Sequence, residues 1–295
     1  MNDRFEEKSF ETAANYEFAQ LGGAGGCPAC GLRYCAFCGW LSAGATIDIW
    51  SPGQVLEGAL GFDVLVDVQG DASRIGALIG AAIPPGMYWQ PMYGHHPGVT
   101  SAPSWASLFI QYKRPDWVTR RRGKFLKLFP GPFHRFALDA NQHAALIRLR
   151  SAAAGQALAL YASPRFHTNT DLAFHRSRRL VLERTAFIDV GTTPGHQHGA
   201  YDESIARLCS EPEEVSALGL PALLAAVRRL DLPTWDSVGD GLRAHLEMIA
   251  LAVEPPTQDR DTPSSVDRPV EFRIESILSF VAQNNLTWLL CAVGR

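Results

Sequence analysis

Leu108-Phe-Ile-Gln-Tyr-Lys113 is the segment from which the organisation of this chain is best inferred, because its apolar run has the length and composition of a buried strand. The strand is predicted over residues 106 to 113. Further along, helical and strand patterns alternate, with helices at 141–154 and 171–179 and strands at 156–162 and 184–190. Strands that alternate with helices predict an α/β core.

Side chains suited to metal and phosphate chemistry accompany this strand. Glu57 falls on a predicted helix over residues 51 to 60, and Asp63 falls on a predicted strand over residues 62 to 68. Gln111 and Lys113 are two residues apart, so they would point to the same face of their strand. Carboxylate and carbonyl oxygens bind Mg²⁺, and a lysine can stabilise charge on a phosphate. The sequence therefore predicts a metal-dependent site that cleaves phosphodiester bonds.

Glu57-Gly-Ala-Leu-Gly-Phe-Asp63 followed by Phe109-Ile-Gln-Tyr-Lys113 resembles the Glu, Asp and Gln-X-Lys signature of the PD-(D/E)XK, or restriction-endonuclease-like, nuclease superfamily. The resemblance implies a mixed sheet flanked by helices. It also implies catalytic Mg²⁺ or Mn²⁺ held by Asp63 and Gln111, with Glu57 orienting a water molecule and Lys113 assisting the nucleophile. The implied activity is metal-dependent cleavage of DNA, in defence or in DNA processing.

Other interpretations of these residues stay open. Phe62-Asp-Val-Leu-Val-Asp-Val68 could be an ordinary strand with exposed acids, in an unrelated α/β domain. A nuclease fold without catalysis, which only binds nucleic acid or a protein partner, is the alternative function. A zinc-scaffolded interaction protein is a third.

Four of the six cysteines form two Cys-X₂-Cys knuckles, at Cys27, Cys30, Cys35 and Cys38. Four thiolates at this spacing can hold one tetrahedral Zn²⁺, and they leave no open position for a substrate. We therefore expect a structural zinc site in an insertion at residues 27–39. An iron–sulfur cluster is the alternative chemistry.

Positive charge is concentrated in the middle of the chain, although the net charge is only −3. Residues 113 to 184 contain 15 Lys and Arg against 4 Asp and Glu. The densest part consists of Arg120, Arg121, Arg122, Lys124 and Lys127. Cations at this density can contact the phosphates of a nucleic acid, and we expect DNA as the partner. A solvated surface face is the alternative.

The chain is predicted to contain four regions. These are a helix within residues 1–26, the four-cysteine insertion at 27–39, a nuclease-like core at 45–190, and a helical region at 191–295 that includes a linker at 254–269. The amino terminus lacks the apolar core of a signal peptide, and no segment reaches the roughly 18 apolar residues of a membrane span. We expect a cytoplasmic protein without a membrane partner, and a homo-oligomer stays open.

Overall fold

The computed structural model describes residues 3–21, 45–51, 64–65, 104–119, 129, 131–153, 155–202, 206–209, 212–215, 217–234, 238–254 and 270–293. The strands are β1 (Ala45–Ser51), β2 (Val64–Leu65), β3 (Ser104–Tyr112), β4 (Asp116–Val118), β5 (Phe133–Ala137), β6 (Ala157–Pro164), β7 (Thr185–Asp189), β8 (His198–Tyr201), β9 (Ala206–Cys209), β10 (Pro212–Val215) and β11 (Thr287–Val293). The helices are α1 (Glu7–Leu21), α2 (Ala140–Ala152), α3 (Asn169–Ser177), α4 (Leu220–Arg228), α5 (Val238–Val253) and α6 (Val270–Gln283).

The chain divides into two compact units, each assembled from separate segments. The first unit consists of Met1–Phe18, Phe109–Ser151 and Leu158–Arg229. The second unit consists of Ala19–Leu108, Ala152–Ala157 and Leu230–Arg295. The strand β3 therefore contributes its beginning to the second unit and its end to the first.

The first unit contains an antiparallel sheet and the end of a mixed one. The antiparallel sheet has the strand order β10-β9-β8-β5-β4. In the mixed sheet, β6 lies between β3 and β7 and pairs with β7 in the antiparallel sense. The strands β3 and β6 run parallel, because the bonds from Ser107 N–H to Gln156 and from Lys113 N–H to Ala162 advance along both strands in the same direction.

Aromatic side chains attach α1 to this part of the mixed sheet. The Phe10 ring meets Tyr112 of β3 edge-on, with 5.4 Å between ring centroids, and the Tyr112 hydroxyl donates to Asn15 Oδ1 at 2.6 Å. The phenyl ring of Phe18 lies 6.0 Å from that of Phe187 on β7. Buried aromatic rings in these geometries stabilise the fold by more than the burial of their apolar area alone provides. The helix is therefore held to β3 and β7 by side chains between Phe10 and Phe18.

The second unit contains the strand order β2-β1-β11-β3. Both β2 and β11 are antiparallel to β1, and the register of β1 with β11 runs from Ala45↔Val293 to Trp50↔Trp288. The helices α5 and α6 pack against each other. Their buried apolar residues recur at helical spacing and are Leu246, Ile249, Ala250, Val253, Ile277 and Val281.

The predicted fold class is confirmed at the level of a mixed α/β protein with a mixed sheet flanked by helices. The helices predicted at 141–154 and 171–179 correspond to α2 and α3, and the strands predicted at 156–162 and 184–190 correspond to β6 and β7. The described part of the chain contains no helix that is both long and apolar enough to cross a membrane.

The carboxy-terminal region, predicted to be helical, also contains strands. Within this region β10 occupies Pro212–Val215, and α4 begins only at Leu220. The strands β8, β9 and β10 have four residues each, too few for an alternating pattern to be recognised. Their pairing with neighbouring strands stabilises them, and the local sequence does not reveal that pairing. The predicted insertion at 27–39 lies outside the described residues.

Candidate functional site

The candidate site lies at the end of β3, where the direction of the side chains alternates. Tyr112 contacts α1, so Gln111 and Lys113 point to the opposite face of the strand. Every residue of β3 is buried, as expected for a strand that is covered on both faces. Gln111 is therefore a polar side chain held in an apolar strand, and Lys113 is the first residue after that strand.

Gln111 has a buried oxygen atom that lacks a partner. The residue is 1 % exposed, and its Oε1 atom accepts no hydrogen bond in the described structure. Leaving a buried acceptor unpaired costs about 1–3 kcal/mol, so such atoms are rare in folded proteins. An amide oxygen can accept a hydrogen bond from a ligand, or it can coordinate a hard cation. Gln111 therefore offers a free acceptor oxygen at the end of β3.

The Lys113 side chain extends from the same face towards the start of α2. Its Nζ atom donates to Gln142 Oε1 at 3.4 Å. Burial lowers the pKa of the Lys113 ammonium, whereas the carboxylates of Glu7 and Asp139 oppose that shift. The side chain is only partly buried, so its ammonium can also reach a bound anion.

Two carboxylates, those of Glu7 and Asp139, are fixed in place near Lys113 by main-chain N–H groups. Asp139 Oδ1 accepts from Asn141 at 3.0 Å and from Gln142 at 2.9 Å, at the start of α2. A carboxylate in this position caps the helix and interacts favourably with its dipole. Glu7, in the first turn of α1, accepts from Arg114 N–H at 2.9 Å. Each acid is thereby held in one orientation beside the lysine.

A buried histidine anchors α2, and with it Gln142. The Nε2 atom of His143 donates to the carbonyl oxygen of Thr193 at 2.7 Å. Because Nε2 carries the proton, Nδ1 accepts from the Tyr161 hydroxyl at 2.8 Å. Burial lowers the pKa of His143, which favours this neutral form.

The structure places only part of the predicted catalytic set. Gln111 and Lys113 lie on one face of one strand, as predicted. Glu57 and Asp63 lie outside the described residues, so their roles stay predictions. The strand β2, which starts directly after Asp63, pairs with β1, and both β1 and β11 lie between β2 and β3 in the sheet. In the described part of the sheet, β2 is therefore not a neighbour of β3. A metal ion bound by both Asp63 and Gln111 requires the two residues to lie close together.

The predicted metal-binding and basic segments also stay predictions. Cys27, Cys30, Cys35 and Cys38 lie outside the described residues, as do Arg120, Arg121, Arg122, Lys124 and Lys127. Among the residues that the structure does describe, no three His, Cys, Asp or Glu side chains are grouped so that they could hold a metal ion.

Sequence reasoning missed Glu7, Asp139 and Gln142. Asp139 could have been found, because an aspartate close before a predicted helix is a capping signal, and α2 begins at Ala140, one residue earlier than predicted. Glu7 offered no signal, since it is 107 positions from its partner Arg114.

Comparison with protein-family models, with curated proteins and with solved structures finds no match for this chain.

Proposed function

We propose that this chain is a Mg²⁺- or Mn²⁺-dependent nuclease with a restriction-endonuclease-like core, that it cleaves DNA, and that Gln111 and Lys113 belong to its active site. The observation that carries the proposal is the buried, unpartnered Oε1 atom of Gln111, two residues before a lysine on the same face. The serines of β3 differ from Gln111, because Ser104 and Ser107 both have hydrogen-bond partners.

The chemistry of Gln111 fits a divalent metal ion. Mg²⁺ and Mn²⁺ are bound in proteins by carboxylate, amide and carbonyl oxygens. One amide oxygen is not a sufficient site, so carboxylates must complete it. Glu57 and Asp63 are the candidates from the sequence motif. Glu7 and Asp139 are the other candidates, because their charges raise the pKa of the Lys113 ammonium, which burial lowers. A bound metal ion would polarise the phosphate and make a bound water more acidic.

Lys113 is proposed to donate a hydrogen bond to a non-bridging oxygen of the phosphate. Negative charge increases on these oxygens during attack, so a fixed ammonium stabilises the transition state more than the ground state. Gln142 accepts one N–H of the ammonium. The remaining N–H groups of the lysine can then be directed to the substrate.

Substrate binding is assigned by this proposal to the basic residues after β4. They are Arg120, Arg121, Arg122, Lys124 and Lys127. Contacts from several cations to phosphates would make binding strongly dependent on salt concentration. The cysteines Cys27, Cys30, Cys35 and Cys38 are proposed to hold a structural Zn²⁺ that takes no part in the reaction.

Cleavage of labelled single-stranded and double-stranded DNA, with Mg²⁺ or Mn²⁺ and with EDTA, tests the proposal. The Lys113→Ala variant should lose about 100-fold or more of the activity, because one oxyanion-stabilising donor is removed. Lys8→Ala is the matched control, because it removes a lysine of α1 that forms a part-buried ion pair with Glu11 at 3.2 Å, and its cleavage is compared per folded molecule. Cleavage that is unchanged in Lys113→Ala would contradict the assignment.

Two aspartate variants identify the carboxylate that completes the site. Asp63→Asn should abolish cleavage if the sequence motif assigns the metal ligand correctly, and Asp139→Asn should abolish it if the acid at the start of α2 does so. If the wild type binds DNA in a salt-dependent way but never cleaves it, the chain is the non-catalytic binding module instead.

A further inference from the structure

Lys113 lies where the hydrogen-bond ladder between β3 and β6 is interrupted. Its N–H donates to the Ala162 carbonyl at 2.9 Å. In a parallel pair the next bond would run from the N–H of residue 164 to the carbonyl of Lys113. Residue 164 is a proline, which has no N–H. The ladder therefore cannot satisfy the Lys113 carbonyl.

Two buried hydroxyl groups take the place of that missing donor. Ser163 Oγ donates to the Lys113 carbonyl oxygen at 2.8 Å. The Tyr201 hydroxyl lies 2.7 Å from Ser163 Oγ and 2.6 Å from the carbonyl oxygen of Pro164. Since a carbonyl oxygen only accepts, the Ser163 proton goes to Lys113, and the Tyr201 proton is shared between Ser163 and Pro164.

The tyrosine that completes this chain of hydrogen bonds is itself held firmly. Tyr201 is fully buried and stacks on His134, its cross-strand partner on β5, with 5.3 Å between ring centroids. Ser163 is also fully buried. Both hydroxyls are thus fixed by the surrounding core and cannot turn towards solvent.

We infer that Ser163 and Tyr201 are positioning residues for Lys113, because they fix the main chain from which its side chain extends. The inference rests on the proposed role of Lys113 in phosphodiester cleavage. The position of the Lys113 carbonyl sets the direction of its Cα–Cβ bond, so a loosened main chain displaces the ammonium at the end of the side chain. A displacement of about 1 Å from the reacting group can cost up to 100-fold in rate.

The environment of the Lys113 ammonium can be measured without any assay of cleavage. Competitive acetylation at a series of pH values, read by mass spectrometry, gives the labelling midpoint of each of the four lysines, Lys8, Lys113, Lys124 and Lys127. Ser163→Ala and Tyr201→Phe should both raise the midpoint of Lys113 by about half a pH unit, since a loosened ammonium is better hydrated. Lys8 serves as the internal reference.

Ser104→Ala is the matched control. Ser104 is a buried serine at the other end of β3, and it also donates to a main-chain carbonyl, that of Pro233 at 2.9 Å. This variant should leave the Lys113 midpoint unchanged. Ser163→Thr keeps the hydroxyl and should restore the wild-type midpoint. If Ser163→Ala and Tyr201→Phe fold and both keep the wild-type midpoint, the inference is overturned.

The cleavage assay gives a second result, which separates the two proposals. We expect kcat to fall about 10-fold in Ser163→Ala and Tyr201→Phe with little change in KM, because positioning affects the transition state more than substrate binding. If the wild type does not cleave DNA, the nuclease proposal fails, while the labelling midpoints still show whether the two hydroxyls control the lysine.

Discussion

Two polar clusters on β3 differ in their access to solvent. The closed cluster consists of Ser107, His245 and Trp288, and the open cluster consists of Gln111, Lys113 and Gln142. Ser107 Oγ lies 2.8 Å from His245 Nε2 and accepts from Trp288 Nε1 at 2.9 Å. A serine beside a histidine has the composition of a nucleophile and its base. All three residues are nevertheless at most 4 % exposed, so no member of this cluster reaches solvent.

In the open cluster Gln111 is also buried, at 1 % exposed, and Lys113 is the residue that reaches solvent. Each cluster contains a buried atom without a hydrogen-bond partner, Gln111 Oε1 in one and His245 Nδ1 in the other. The difference is that Lys113 is partly exposed and that, while burial lowers the pKa of its ammonium, the carboxylates of Glu7 and Asp139 raise it. The comparison teaches that residue types alone do not identify a site. The serine–histidine pair lies entirely in the core and contributes to stability. The partly exposed lysine, which lies beside the unpartnered oxygen of Gln111, can contact a ligand.

The largest expected effect is on stability, at the closed cluster. His245→Ala should lower the free energy of unfolding by about 2–4 kcal/mol, because it opens a cavity and leaves the Ser107 hydroxyl without its histidine. Urea unfolding followed by tryptophan fluorescence measures this loss. Cleavage per folded molecule should not change. Full stability combined with lost cleavage would show that the closed cluster is the catalytic one.

A smaller effect should appear when the pH is lowered. Burial lowers the pKa of His245 to about 3 and that of His134 to about 4. Below pH 6.5 the unfolded chain binds protons at these histidines, and the folded chain does not until the pH approaches those lowered values. Stability should therefore fall as the pH decreases from 6.5, by about 2 kcal/mol at pH 5 from His245 alone.

Urea unfolding at pH 7.5 and pH 5 checks this pH dependence. His245→Ala removes one of these two contributions, which are nearly equal at pH 5, so the difference between the two pH values should shrink in that variant. An equal difference in the variant and the wild type would mean that His245 is protonated alike in the folded and unfolded chains.

The smallest effect is expected at Gln111 of the open cluster. Gln111→Glu supplies a carboxylate for a divalent cation, so half-maximal cleavage should need about 10-fold less Mg²⁺. Mg²⁺ should also raise the Tm of the variant more than that of the wild type, since a buried carboxylate without a cation is costly. Gln111→Leu is the control, and Mg²⁺ should not change its Tm. An equal response of all three proteins would separate Gln111 from any metal.

Much of the fold could be predicted from local patterns. The strands β3 and β6 are apolar runs, and α2 and α3 follow polar capping residues, so each carries its signal within a few residues. The short strands β8, β9 and β10 could not be predicted in this way. They depend on partners that their own four residues do not specify.

The candidate site could be predicted only in part for the same reason. Gln111 and Lys113 are neighbours on one strand, so their spacing is sufficient to place them on one face. Gln142 is 29 positions from Lys113, and Glu7 is 107 positions from Arg114. Contacts over such distances in the chain arise from packing, and no periodic pattern records them.

The amino-acid sequence is enough to establish the α/β class, the apolar strand β3 and the Gln-X-Lys pair at its end, because these follow from short-range periodicity. Folding in three dimensions determines which polar groups are sealed and which stay open. Ser107 is buried and forms hydrogen bonds with His245 and Trp288, which are 138 and 181 positions away in the chain. It also determines that Ser163 and Tyr201 replace the N–H that Pro164 lacks, since a hydrogen bond depends on distance in space and not along the chain.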